Sequence, residues 1–402
     1  MHSNQLNLPK NVEFCKICVI SNQRPNSTIE FKNKNTNKET IIFDNDSICS
    51  ACKYNIDQKE KKINWDDREK DFERLLDKFR KNDGSYDVIV PGSGGKDSAY
   101  ASHLLKYKYG MNPLTVTWAP HEYTDIGWKN FNNWIKIGGF DNILFNPNGR
   151  LHRKLTNLAF KNILHPFQPF IIGQRIIGPL MALKYDVKLV MYGENQAEYG
   201  NRIEENKNPK MSEDFFSVDD PKNILLAGKK IKEIINDYNF KFEDFAPYIP
   251  PSMEDLQSKK VEVHYMGFYK KWDPQECFYY AVENTGFQPN SERTEGSYSK
   301  YSSIDDKIDP FHYYTTLIKF GIGRATYDAS QEIRNDKITR EEGVILVNKY
   351  DTEFPSKYFE DFLKYTEMSK DEFWESIDKN RSEHLWEKAQ NEWKLKHQVK
   401  NI

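Results

Sequence analysis

The chain has 402 residues, 38% of them hydrophobic, enough to bury a large core and to build two domains with appendages. Its 58 Lys and Arg stand against 60 Asp and Glu, a formal charge of −2, which excludes a global basic field for recruiting nucleic acid. No run approaches the ~18 apolar residues of a membrane helix, and Met1 to Glu13 lacks the basic and apolar blocks of a signal peptide, so a cytoplasmic protein without membrane contact is expected.

Four of the five cysteines come early, as Cys15-x2-Cys18 and Cys49-x2-Cys52 with 30 residues between the pairs. Each pair can offer two thiolates to one tetrahedral ion, and two such knuckles close a Cys₄ site. A structural Zn²⁺ is the favoured occupant, with an iron–sulfur cluster left open as the alternative. Residues 1–60 are thus expected to form a zinc ribbon, with a hairpin pairing Ile29–Phe31 and Thr40–Phe43. In residues 61–84, Trp65, Phe72, Leu75, Leu76 and Phe79 fall near helical spacing and predict a linking helix that stops at Gly84.

Residues 85–200 alternate strands and helices, the pattern of a parallel α/β sheet. Asp87 to Pro91 predicts a buried strand, Gly92 to Gly95 a tight turn, and Ser98 onward a helix. This strand–loop–helix unit can cradle phosphate. Gly94 and Gly95 let backbone N–H groups approach an anion, Ser93 and Ser98 add hydroxyls, Lys96 a charge, and Asp97 a carboxylate suited to Mg²⁺. The Walker A spacing is not met, because Asp97 follows Lys96, so γ-phosphoryl transfer is not expected. Further strands are predicted at Leu114 to Trp118, Asn142 to Phe145 and Val187 to Tyr192, with one long helical stretch over 151–184. Ligands in such sheets bind beyond the carboxyl ends of the strands. Trp118, His121 and Glu122 follow one strand. Gly193-Glu194-Asn195-Gln196-Ala197-Glu198-Tyr199-Gly200 follows another, with Glu194 and Asn195 placed to hold Mg²⁺ or a reacting amide and Glu198 to contact substrate or move a proton. Arg175 is either a phosphate neutraliser or an exposed helix arginine.

Residues 201–260 have the mixed charge and prolines of an insertion or lid, with a helix over 222–238. In 261–350, loops rich in Tyr, Lys and Arg suit an anionic, hydroxyl-rich substrate, with Tyr298, Lys300 and Arg324 as candidate contacts. Residues 351–402 are predicted helical, from the capping box Ser369-x2-Glu372 through Leu385, Trp386, Ala389 and Trp393.

Ser93 to Ser98 resembles the Ser-Gly-Gly-x-Asp-Ser signature of the N-type ATP pyrophosphatases, the PP-loop superfamily. Read with the Cys pairs, Gly193 to Gly200, Gly296 to Lys307 and Gly321 to Arg334, nearly the whole chain resembles the N-acetyl sugar amidotransferases of bacterial surface-glycan synthesis, the group with the pseudaminic-acid amidotransferases. The Asn- and Lys-rich inserts 33–38 and 201–210 look like peripheral variation. The resemblance implies an adenine nucleotide α-hydrolase-like fold that binds ATP and releases AMP and pyrophosphate. It also implies an adenine covered by Trp118, ATP contacts from Gly193 as well as the loop, charge balanced by Lys96 or Arg324, and a sugar or nucleotide-sugar substrate. No cysteine has the surroundings of a glutaminase nucleophile: position 2 is His2, and Cys277 lacks a Gly-rich elbow. Ammonia is therefore expected from separate glutaminase and channel subunits similar to those of imidazole glycerol phosphate synthase. A tRNA-thiolating PP-loop enzyme and a non-catalytic ATP-binding zinc-ribbon scaffold remain the rivals.

Overall fold

A computed structural model describes residues 6–34, 36–60, 62–194, 207–218, 220–390 and 392–401. Five strands, β1 (Val88–Pro91), β2 (Pro113–Trp118), β3 (Asp141–Phe145), β4 (Leu189–Tyr192) and β5 (Glu262–Tyr265), form one parallel sheet in the order β3-β2-β1-β4-β5. All residues of β1, β2 and β4 are buried, which is why they stand out as apolar, β-branched runs. The strand order reverses between β1 and β4, leaving a crevice beyond their carboxyl ends. The sheet extends past residue 200: β5 was not foreseen, because Glu262-Val263-His264-Tyr265 alternates polar and apolar residues as an edge strand does.

Helix α1 (Ser50–Lys59) belongs to the cysteine module, and the helices that follow include α2 (Trp65–Phe79), α3 (Lys96–His103), α4 (Asp125–Lys136), α5 (Gly149–Ile163) and α6 (Gln168–Lys184). The Asn64 side chain starts α2 by accepting from the amides of Asp66 and Asp67, and one face then buries Phe72, Leu76 and Phe79. The single helix predicted over 151–184 is two helices. Leu164 adopts a left-handed conformation (φ 44°) and Pro166 cannot donate to a continuing ladder. The helix predicted from residue 222 begins only at Ile231, after a small hairpin pairing Leu225–Leu226 with Lys229–Lys230 whose turn residues Ala227 and Gly228 both have positive φ.

The C-terminal part adds α7 (Pro274–Thr285), α8 (Asp309–Phe320), α9 (Arg324–Arg334), α10 (Arg340–Tyr350), α11 (Phe359–Thr366) and α12 (Lys370–Lys379). The tail then departs from the predicted helix: β6 (Trp386–Ala389) pairs antiparallel with β7 (Glu392–Leu395). Its aromatic spacing fits a helix, but Gln390 turns with φ 50°, and Arg381 stacks on both Trp386 and Trp393 to hold the ribbon. These elements share the sheet domain's core, with Phe160 of α5 stacked on Phe373 at 5.1 Å and Phe311 on Phe362 at 4.3 Å. The early cysteines pack with Phe320, Ile333, Val344, Val347 and Val399, so the N-terminal module is seated on α8 to α10. Its expected Ile29–Phe31 hairpin is replaced by a 3₁₀ turn at Glu30–Lys32, and Thr40 bridges to Pro25 instead.

Phe160→Ala removes a fully buried ring and is expected to cost about 3–5 kcal/mol of unfolding free energy. Ile345→Ala, at a side chain 63% exposed, is expected to change stability by no more than about 0.5 kcal/mol. Denaturant melts of both variants check the core assignment.

Candidate active site and metal centre

The turn after β1 is shaped by absent side chains. A Cβ on Gly94, whose φ is +84°, would stand 2.8 Å from the Phe131 Cα, and one on Gly193 would stand 2.4 Å from the Asp97 carbonyl oxygen. The first turn of α3 is thereby wedged against the end of β4. Gly95 is its N-cap and no side chain caps it, so the helix N-terminus is open to an anion.

Ser93, Gly94, Gly95, Lys96 and Asp97 line a cavity of about 510 Å³. Ser93 Oγ donates to Asp305 Oδ2 at 2.8 Å, and Ser98 Oγ, just behind the loop, donates to the Gly95 carbonyl at 3.1 Å. Asp97 accepts from Lys96 Nζ at 2.6 Å and from Trp272 Nε1 at 3.1 Å. Burial raises the Glu194 carboxyl above its usual range while Arg175 and Asp97 act on it in opposite senses, and its buried Oε2 has no hydrogen-bond partner among the described residues. Two carboxylates, one with an orphaned oxygen, beside an open helix N-terminus are a donor set that fits Mg²⁺ held with phosphates. Arg175 also lines the cavity, donating to Tyr265 Oη at 3.2 Å, and is not an exposed helix arginine.

Arg324 enters the cavity from the start of α9, paired with Asp328 at 3.2 Å and lying over the Tyr313 ring at 4.3 Å. The glycine before it, Gly323, turns against Asp351, whose carboxylate caps α9 by accepting from Gly323 N and Thr326 N at 2.8 Å each. That helix N-terminus is therefore filled from within.

Three expectations need correction. Trp118 does not cover an adenine from the cavity wall. It is 3% exposed, packed on Gly173, Phe145 and Tyr248, because the last residue of a central strand points into the core under α6. Tyr298 turns from the cavity to donate to Glu332 at 2.8 Å, and Lys300 donates to the Ser291 carbonyl at the surface. Their near neighbours Tyr301, Ser302, Ser303 and Asp305 line the cavity instead. The 33–38 insert is not wholly peripheral either, since Asn33 and Lys38 are cavity residues. Asn195 and Glu198 lie outside the described residues. Asp305, Asp309, Arg24, Lys38 and Lys319 are cavity residues that no motif singled out; only the Asp-Asp doublet within Gly296 to Lys307 offered a signal.

The Sγ atoms of Cys15, Cys18, Cys49 and Cys52 all lie within 4.8 Å of one another and are buried, with Cys18 and Cys49 3.8 Å apart. A tetrahedral Zn–S distance of about 2.3 Å implies edges of about 3.8 Å. The Cys15 sulfur accepts from the Ile17 and Cys49 amides at 3.4 Å, as a thiolate ligand would. The set fits zinc.

Purified protein is expected to carry one zinc per chain by elemental analysis. Cys18→Ser is expected to lose it with about 3 kcal/mol or more of stability, whereas Cys277→Ser, at a buried thiol outside the cluster, keeps it. Burial pushes the Asp309 carboxyl up to about 7, only partly offset by Arg324. The folded chain keeps this proton to a higher pH than the unfolded one, so the stability it contributes is full below about pH 4 and is lost as pH rises toward 7. Asp309→Asn is expected to gain on the parent by about 1 kcal/mol or more between pH 4 and 8 in melts at each pH; a constant difference would contradict this.

Within the described residues, no helix is long and apolar enough to cross a membrane. Uncharacterized protein MJ1599 of Methanocaldococcus jannaschii is 31% identical over 102 residues, which are 25% of this chain and 31% of that protein, so the chain spans about a third of that relative's length. NMN synthetase from Francisella tularensis superposes with a TM-score of 0.27 at 12% identity, over 49% of this chain and 93% of the synthetase. Residues 295–400, which contain α8 to α12 and both strands of the terminal ribbon, match the family described as LPS biosynthesis protein WbpG-like, C-terminal domain.

Proposed function

We propose that this protein is an ATP-dependent, AMP-forming amidotransferase that converts an N-acetyl group of a sugar, free or nucleotide-linked, into an acetamidino group during surface-glycan synthesis. The observation that carries the reading is the uncapped N-terminus of α3 behind Ser93–Asp97, opening on a cavity of about 510 Å³ at the strand-order reversal. The description of the family matched by residues 295–400, LPS biosynthesis, supports a glycan substrate.

In this mechanism the loop amides and Lys96 grip the β- and γ-phosphates and leave the α-phosphorus facing the cavity. The acetamido oxygen attacks it, forming a P–O bond as the bond to pyrophosphate breaks. Ammonia adds to the resulting imidate carbon, the C–O bond breaks, AMP leaves, and the acetamidino group remains. Adenylation supplies the leaving group that an amide oxygen lacks. Asp97 and Glu194 would hold a Mg²⁺ that offsets phosphate charge, and Arg324 would face charge developing on the acceptor side. Ammonia would come from a separate glutaminase subunit through a channel.

With MgATP, ammonium and a panel of UDP- and CMP-linked diacetamido sugars, AMP and pyrophosphate are expected in equal amounts, with a product about one mass unit lighter. Asp97→Asn is expected to lower the rate by about 100-fold or more. ADP in place of AMP would reject the mechanism, and turnover with glutamine by the purified chain alone would reject the separate glutaminase.

A further inference from the structure

The chain between the two cysteine pairs does more than cover the metal. Arg24, Glu30, Asn33 and Lys38, all from this loop, line the same cavity as the phosphate loop. The knuckles fix both ends of the loop, and Phe31, 1% exposed, plugs its middle into the main core. Glu30 is tied down further, its carbonyl accepting from Gln168 Nε2 at 2.9 Å and its carboxylate meeting His165 at 3.3 Å and Asn33 at 2.7 Å. Across from it, His312, Tyr313, Thr316 and Lys319 occupy one face of α8 and line the cavity together. Lys319 is 8% exposed, and among the described residues its Nζ donates to the Ile163 carbonyl, at 3.1 Å.

Charge in this wall is unbalanced. Among the described residues neither Lys319 nor the half-buried Lys38 forms an ion pair with a carboxylate, and Lys38 instead donates to the Asn33 side chain. The two ammonium groups act on each other unfavourably, and burial with this repulsion draws Lys319 down to about 7, Glu30 giving only partial relief. Arg24, which lies over the Tyr327 ring at 5.0 Å, adds a third positive group from the same loop. Glu30 is the carboxylate that acts favourably on both lysines, and it offsets their burial only in part; an anion shared between the cations would offset more of that cost.

We propose that Arg24, Lys38 and Lys319 form a second anion subsite, apart from the phosphate loop, that takes an anionic group of the acceptor: a sugar carboxylate or a nucleotide phosphate. The N-terminal metal module is then part of the acceptor site, and the zinc is the clasp that positions its loop. This rests on the reading above in one respect, that the phosphate loop takes ATP.

The test uses zinc-loaded full-length protein and calorimetric binding, so it needs no turnover. The phosphate loop is first filled with α,β-methylene-ATP and Mg²⁺. UDP, UDP-N-acetylglucosamine and glucuronate are then titrated into the parent, Lys319→Met, Lys38→Gln and Lys38→Arg. The expected result is at least a tenfold loss of affinity in Lys319→Met and Lys38→Gln, with recovery in Lys38→Arg, unchanged zinc, and less than a twofold change for α,β-methylene-ATP. Loss for UDP and UDP-N-acetylglucosamine assigns the subsite to phosphate; loss for glucuronate alone assigns it to carboxylate. Lys319→Met is also expected to keep or raise the melting temperature, because it removes an unpaired buried charge, whereas a merely structural lysine would lower it. Failure of all three ligands to bind the parent, or equal losses for α,β-methylene-ATP, would overturn the subsite. Absence of AMP formation with this binding pattern intact would instead count against the adenylation chemistry alone.

Discussion

The geometry of the cavity depends on one buried carboxylate, Asp306, 3% exposed. It accepts from the His121 amide and ring at 2.8 Å each and from the Ile308 amide at 2.9 Å. Hydrogen bonds to a charged group contribute about 1.5–3 kcal/mol each, enough for this joint to fix where the chain after β2 meets the chain before α8. The surroundings reinforce it. Thr124 N donates to the Asp305 carbonyl, and a Cβ on Gly127 would stand 2.5 Å from the Asp305 Cα. With that approach set, Asp305 reaches Ser93 in the glycine-rich turn after β1, and α8 leaves at an angle that turns His312, Tyr313, Thr316 and Lys319 inward.

The site is thus assembled from segments with different duties. The sheet domain supplies a rigid end, where glycines at 94 and 193 admit close backbone approach and α3 presents unpaired amides. The C-terminal helices supply a wall of aromatic rings and charges that is held on the sheet domain by the Phe160, Phe311, Phe362 and Phe373 cluster. The N-terminal four-cysteine module supplies the remaining wall. Each alone is open on one side, and enclosure, which strengthens electrostatic interactions with a bound anion, arises only where the three meet.

The sequence was most informative where local chemistry dictates structure. Gly92 to Ser98 could be placed at a strand end from residue types alone, and the cysteine spacing gathered four sulfurs that the fold indeed brings together. Ser369 and the strands at 88–91 and 113–118 were legible for the same reason. Tertiary context decided the rest. Trp118 carries an aromatic ring at a strand's end, but whether that ring faces the crevice or α6 is set by the close approach of Gly173, 55 residues away in sequence. Tyr298 and Lys300 have side chains of a type that suits an anionic substrate, but the turns around Ser299 point them elsewhere while bringing Tyr301 and Asp305 in. Lys38 looked like part of a polar insert because only the folded loop reveals that it faces Lys319.

The seating of the N-terminal module has a consequence for how the chain reaches its native state. Arg340 donates to the Cys15 carbonyl across 325 positions of sequence, and Val399 packs in the apolar shell around the cysteines. Contacts of that range close late, because the loop entropy is spent before the contact is gained. A growing chain emerging from the ribosome can therefore form the cysteine knuckles early by local encounter, yet must hold them with an uncovered apolar face until α8 to α10 and residues near 399 have been made. Metal capture in the meantime would keep that nascent surface ordered and its thiols protected, so an ion held there would contribute most before the protein has a pocket at all.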